Sequence, residues 1–165
     1  MYTFGTASLK ELQGVHPKLV EVATLEISRS DQDFSVHDGV RTVAEQQHMV
    51  ASGASTTLNS KHLIQPPTSG YAIGFGHAVD LVPYLNGKLR WEWPLIYPVT
   101  ASMQDAGRSL GVKVRWGGVW DRCLNDLPLG AAALEKQVAA YVARRKKQFP
   151  RKAVFIDGPH FELMS

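Results

Sequence analysis

Two distant segments carry the residue types from which a hydrolytic metal site is built. The first runs Ser60-Lys61-His62 and resumes at Gly76-His77-Ala78-Val79-Asp80; the second is Asp157-Gly158-Pro159-His160-Phe161-Glu162. Two imidazoles and a carboxylate make a nitrogen and hard-oxygen donor set that suits zinc, and three protein ligands leave a fourth position for an activated water. Asp157, three residues before His160, is where a base for that water would sit. Spacing alone does not select these residues. No helical His-Glu-x-x-His pattern is present, and each histidine taken singly also reads as a surface imidazole or a hydrogen-bonded core residue. Gly-rich surroundings add only that loops and strand ends place such side chains freely.

The elements that must position them follow from hydrophobic periodicity. Residues 17–29 predict a helix, with Pro17 at its start and Leu19, Val22, Ala23 and Ile27 on one stripe. A short strand is expected over 33–37 and a second helix over 42–52, stopped by Gly53. Residues 53–76, rich in Gly, Ser, Thr and Pro, read as a long loop, followed by a strand from His77 to Val82. Helical spacing returns between 92 and 110, with Pro94 and Pro98 confining the regular part to the later turns. Strands are expected over 112–116, 153–156 and 161–163, and a helix over 131–148. This interleaving argues an α+β fold with a small, mainly antiparallel sheet flanked by helices, the site in a cleft over the sheet, and residues 1–165 forming one domain.

Composition is that of an ordinary globular chain, 44% hydrophobic and 20% charged. The single cysteine, Cys123, excludes an internal disulfide framework and a multi-cysteine metal site; it reads as an inert thiol. No stretch has the length and apolarity of a membrane span, and the N-terminus lacks the basic start and apolar run of a signal peptide. Synthesis in the cytoplasm is therefore expected. The net charge of +3 is unevenly spread. Residues 144–152 hold Arg144, Arg145, Lys146, Lys147, Arg151 and Lys152 without an acid, and the rest of the chain carries a slight acidic excess. The cluster reads as the solvated end of a packed helix or as a patch drawn to anionic surfaces such as an outer membrane. No nucleic-acid recognition motif accompanies it.

Ser60-x-His62, Gly76-x-Ala78-x-Asp80 and Asp157-x-x-His160 resemble the Ser-x-His-x-x-Gly-x-Ala-x-Asp and Asp/Glu-x-x-His motifs of the D-alanyl-D-alanine carboxypeptidase family of zinc peptidases. The resemblance is closest to phage endolysins that are L-alanyl-D-glutamate peptidases. Gly39-Val40-Arg41-Thr42, Val82-Pro83-Tyr84-Leu85-Asn86-Gly87-Lys88 and Arg115-Trp116-Gly117-Gly118-Val119-Trp120 follow in the same order as in those endolysins. The resemblance implies zinc held by His62, Asp80 and His160, Asp157 as proton acceptor and donor, and Arg41 steadying the substrate carbonyl or the anion formed from it. A salt bridge beside the site is the other reading of Arg41. Ser60 would support the first motif by hydrogen bonding. Trp116 and Trp120 would wall the cleft or belong to the core. Glu162, on the strand face of His160, would orient that ligand or be a solvated strand end.

The implied activity is hydrolysis of the peptide stem of peptidoglycan at the L-alanyl-D-glutamate bond, by a monomeric enzyme made in the host cytoplasm and acting in the periplasm after release. The same chemistry supports a D,D-carboxypeptidase or dipeptidase, and a non-catalytic wall-binding module that kept its zinc is a third possibility. Two departures from the family pattern stand out. Residues 65–75 are inserted between the first histidine and Asp80, which predicts a flap over the cleft and raises His77 as a rival to His62. Residues 123–152, with the basic helix, form a second inserted segment.

Overall fold

Helix α2 (Pro17–Arg29) forms where its apolar stripe lies, and Leu19, Val22, Ala23 and Ile27 are all buried. His16 caps it, with Nδ1 accepting the Lys18 backbone N–H. The computed structural model describes residues 1–164. A short helix α1 (Thr6–Glu11) precedes α2, and strand β1 (Phe34–Asp38) follows it. Helix α3 (Val43–Ala51) starts in a capping box, the Thr42 hydroxyl accepting from the Glu45 N–H while the Glu45 carboxylate accepts from the Thr42 N–H.

Strand β2 (Ala78–Leu85) turns through Asn86-Gly87, both at positive φ, into the two-residue strand β3 (Lys88–Leu89). Helix α4 spans Trp93–Leu110 and is regular from its first turn, contrary to expectation. Pro94 lies where the backbone N–H has no intrahelical partner, and Pro98 removes only one bond of an 18-residue helix. Ile96, Val99, Met103 and Ala106 bury its inner face. Strands β4 (Val114–Trp116) and β5 (Val119–Cys123) form a hairpin; helix α5 covers Ala131–Gln148 as its periodicity demands, and strand β6 is His160–Leu163. The strand expected over 153–156 is a segment without a ladder partner among the described residues.

All strand pairs are antiparallel, in the order β1-β2-β6-β4-β5 with β3 on β2. C-terminal β6 thus inserts between β2 and β4, and its register sets His160 opposite Asp80. Residues 80 apart in sequence become cross-strand neighbours (whose Cβ atoms lie about 5 Å apart). Beneath them Val79, Leu81, Val114, Trp116 and Phe161 bury the other sheet face against the helices, so the pair sits on a supported part of the sheet.

The inserted loop does not cover the cleft. Gln65 N–H donates to Phe75 O and closes the loop on itself, while His16 N–H donates to Gly76 O and Gly76 N–H to Gly14 O, tying its far end to the segment before α2. The rings of Tyr71, Phe75 and His77 pack edge-on around His16 at 4.7, 5.6 and 5.1 Å. An aromatic loop with a buried ring to pack on folds back onto the body instead of overhanging the cleft.

Candidate active site

His62 Nε2, His160 Nδ1 and Asp80 Oδ1 lie 3.2 Å from one another in all three pairings. They form a near-equilateral triangle of buried donors. Four ligands at zinc distances of about 2.0–2.1 Å in a tetrahedron stand about 3.3 Å apart, so the triangle has the dimensions of one tetrahedral face. His62, Asp80 and His160 would hold a cation there, at the cleft that all three line.

The outer atom of each ligand is held by a neighbour, which fixes what the inner atom offers. His62 Nδ1–H donates to Gly39 O at 2.6 Å, leaving Nε2 as the lone-pair atom. His160 Nε2–H donates to Glu162 Oε2 at 2.9 Å, leaving Nδ1. Asp80 Oδ2 accepts from Arg41 Nη2 at 2.9 Å, leaving Oδ1. Two oriented imidazoles and a carboxylate, each with an outer hydrogen-bond partner, have the chemistry of a transition-metal site. Burial works against charge on His160, yet hydrogen bonds to Asp80 and Glu162 outweigh it and push the imidazole up to about 9. Burial also opposes ionisation of Asp80, but the two imidazoles hold it well below the usual carboxylate range.

The supporting residues explain how the sequence places the ligands. Ser60 Oγ accepts the His62 backbone N–H at 3.2 Å and shapes the turn before that ligand. Gly39 brings its carbonyl to His62 because α1 passes so close that a Cβ there would lie 1.8 Å from Glu11 O. Arg41 is buried and ion-paired to Asp38 and Asp80, with Nη1 donating to Gln46 Oε1 at 3.1 Å. The salt-bridge reading of Arg41 is thus met, since it braces Asp80, and the same side chain lines the cleft. Glu162 is buried, bonded to His160 and paired with Arg115, and so is not the solvated strand end that was the alternative. Gly39, Asp38 and Gln46 were not marked as site residues by sequence; the Asp38-Gly39 turn just before Arg41 was the available signal.

His77 does not compete with His62. Its ring packs edge-on against His16, neither residue lines the cleft, and among the described residues its Nε2 has no hydrogen-bond partner. Desolvation, then the nearby His16 and Lys61 charges, lower its pKa. Trp116 is fully buried and lies in the core, not in the cleft wall; its Nε1–H donates to Gly158 O at 2.7 Å and anchors the second motif. Trp120 does wall the cleft, with its ring 5.2 Å from that of His160 and stacked on Phe155.

Asp157 borders the same cleft as the three ligands. Its backbone N–H donates to Gly117 O, and its carbonyl accepts from the His160 N–H. A Cβ at Gly117 would lie 2.2 Å from Asp157 O, so the β4–β5 turn can approach only as glycine. Burial, then repulsion from Asp80, push the Asp157 carboxyl up to about 6, where a carboxylate exchanges protons near neutral pH. The cleft holding these groups measures about 860 Å³, room for several residues of an extended peptide.

Residues 1–126 match the sequence profile of the family described as phage L-alanyl-D-glutamate peptidase. The chain belongs to that family. One curated member, the L-alanyl-D-glutamate peptidase of Escherichia phage T5, is 34% identical over 124 residues, which are 73% of this chain and 82% of that peptidase. The family profile ends before Asp157 and His160, but a structural relative spans them. The crystal structure of the Serratia marcescens L-Ala D-Glu endopeptidase ChiX superposes with a TM-score of 0.67 at 32% identity, covering 98% of this chain and 90% of that one.

Proposed function

We propose that this protein is a zinc-dependent endolysin that hydrolyses the L-alanyl-D-glutamate bond in the peptide stem of bacterial peptidoglycan. The observation that carries the reading is the 3.2 Å triangle of His62, Asp80 and His160 opening onto a cleft that Asp157 also borders. Family membership supplies the bond, since both relatives are named for L-Ala-D-Glu peptidase activity.

Zinc held by these ligands would supply a Lewis acid that polarises the scissile carbonyl and lowers the pKa of water to about 7. Asp157 takes the proton of the attacking water and returns it to the leaving amine nitrogen, a task suited to a carboxyl raised toward neutrality. Arg41 uses one N–H on each nitrogen to hold Asp38, Gln46 and Asp80. Its two further N–H groups are available to the oxyanion that develops from the carbonyl. Glu162 and Gly39 O keep the two imidazoles in the tautomers the site needs, while Trp120 provides an apolar wall beside His160.

No helix among the described residues is long and apolar enough to cross a membrane. The reading places the enzyme as a monomer in the host cytoplasm until release, and then in the periplasm. Lys146, Lys147 and Arg151 remain exposed on α5 and just after it, available to an anionic cell surface.

Synthetic stem peptides test the reading through the stereochemistry at the cleaved bond. Cleavage of L-Ala-D-Glu, with neither L-Ala-L-Glu nor a terminal D-Ala-D-Ala cut, is expected. Release of terminal D-alanine alone would assign a carboxypeptidase instead.

A further inference from the structure

The inserted segment brings a second set of charges to the cleft. Tyr141, Arg145, Phe149 and Lys152, from the last turns of α5 and the residues after it, border the same cavity as His62, Asp80 and His160. The Arg145 guanidinium lies 4.5 Å from the Phe149 ring centroid and Lys152 Nζ lies 5.5 Å from it. Arg145 also donates to Gln148 Oε1 at 3.0 Å. Both cations are thus located by neutral partners, a ring and an amide, that leave their charge unspent. Arg144, one residue earlier, pairs instead with Asp121 at 3.1 Å on the outer surface.

The cleft is divided electrically by this arrangement. At the ligand end stand Asp38, Asp80, Asp157 and Glu162, with Arg41 and Arg115 committed to Asp38, Asp80 and Glu162. At the α5 end, among the described residues, Arg145 and Lys152 face no carboxylate within ion-pair distance. A glutamyl residue whose nitrogen belongs to the scissile bond has two carboxyl groups. One continues the chain and the other is a free anion, and a further carboxylate lies at the end of the peptide. The unpaired cations at the α5 end match an anionic leaving segment.

We propose that Arg145 and Lys152 are substrate-binding residues that take a carboxylate of the peptide on the leaving side of the cleaved bond. The inference rests on the peptidase reading above and adds the residues that select an acidic stem. A guanidinium fixed against a ring binds carboxylate through paired N–H donors at small entropic cost, and the lysine beside it adds a mobile charge. The family profile ends at residue 126, so this wall belongs to the part of the chain that the profile does not describe.

The test is steady-state hydrolysis of synthetic stem peptides in which the free glutamyl carboxyl, or the C-terminal carboxyl, is present as acid or as amide. Wild type, Arg145→Gln, Lys152→Gln and Arg145→Lys are compared. Wild type is expected to favour one acid over its amide by about ten-fold in kcat/KM, expressed mainly in KM. The glutamine variants treat acid and amide at that position alike, which identifies the carboxylate, and Arg145→Lys keeps part of the preference. Lys152 is exposed, so its variant reports even if Arg145→Gln unfolds. Glutamine variants that keep the full acid preference at both positions overturn the proposal and leave the peptidase reading standing. So does a defect confined to intact cells and absent on purified walls, which would assign these cations to the outer surface. Wild type inactive on every peptide overturns the peptidase reading and the proposal with it.

Discussion

Glu162 accepts the Nε2–H of His160, two positions earlier on the same strand face, at 2.9 Å. Because β6 alternates sides, the ligand and the group that orients it come from one tetrapeptide, and the Arg115 ion pair from neighbouring β4 fixes the carboxylate in turn. The orientation of this imidazole is therefore set by side-chain alternation within a single strand.

Glu162→Ala removes that restraint and leaves Arg115 without its partner. Zinc affinity, measured by competition with a chromogenic chelator, is expected to fall about ten- to a hundred-fold. Glu162→Gln keeps a hydrogen-bond acceptor and should fall less. Equal affinity in all three proteins would show that Glu162 does not act on the ligand.

Asp157→Asn keeps the shape of the second motif and abolishes its basicity. Hydrolysis should drop by about 10²–10⁴-fold, with zinc content and melting temperature held. The pH profile supplies the sign. Asp157 is raised to about 6 by burial and by Asp80, and a base works only once its proton is lost. Activity should therefore rise with pH along an acid limb at or below about 6, since a bound cation can only lower this pKa. That limb should be missing from any residual activity of the Asn variant.

Gly117→Ala tests placement of the base without touching it. The added methyl would stand 2.2 Å from the Asp157 carbonyl oxygen, so the β4–β5 turn or the Asp157 backbone must move. A loss of kcat of about a hundred-fold, at unchanged zinc content, is expected from a displacement of roughly 1 Å. Wild-type kcat would mean that Asp157 tolerates displacement and is not the positioned base.

Much of this site was legible in the chain, and its gaps have physical causes. Helices α2 and α5 were readable because an apolar stripe at helical spacing leaves little choice of buried face, and their bounds match Pro17–Arg29 and Ala131–Gln148. The four candidate metal and base residues came from motif resemblance; periodicity carries no information on which distant strands pair, and the β2–β6 register is what sets Asp80 opposite His160. The inserted loop was misplaced because its partner, His16, lies far upstream and nothing local marks it as a packing site. Glu162 and Trp116 each had two readings that only burial could separate.

Glu26 makes a prediction about stability. It is fully buried in α2, both carboxylate oxygens lack a hydrogen-bond partner among the described residues, and burial raises its pKa well above the ordinary value. The folded chain therefore keeps a proton that the unfolded chain releases near pH 4.3. Stability is complete below that pH and declines as pH rises toward the folded pKa. Glu26→Met, of similar volume, should remove this decline and stabilise the protein at pH 8 by about 1–3 kcal/mol. Thermal melts of both proteins at pH 5 and pH 8 measure it, and a wild-type advantage at pH 8 would mean that Glu26 has a compensating partner.

The most direct test of zinc-dependent cleavage is mass spectrometry of purified peptidoglycan after digestion, with metal content determined on the same protein samples. Chelated, metal-free protein should release nothing. One equivalent of zinc should restore release of stem peptides that begin at D-glutamate, and His62→Ala, with the triangle broken, should not recover. Undiminished release by protein verified to be metal-free would contradict the central claim.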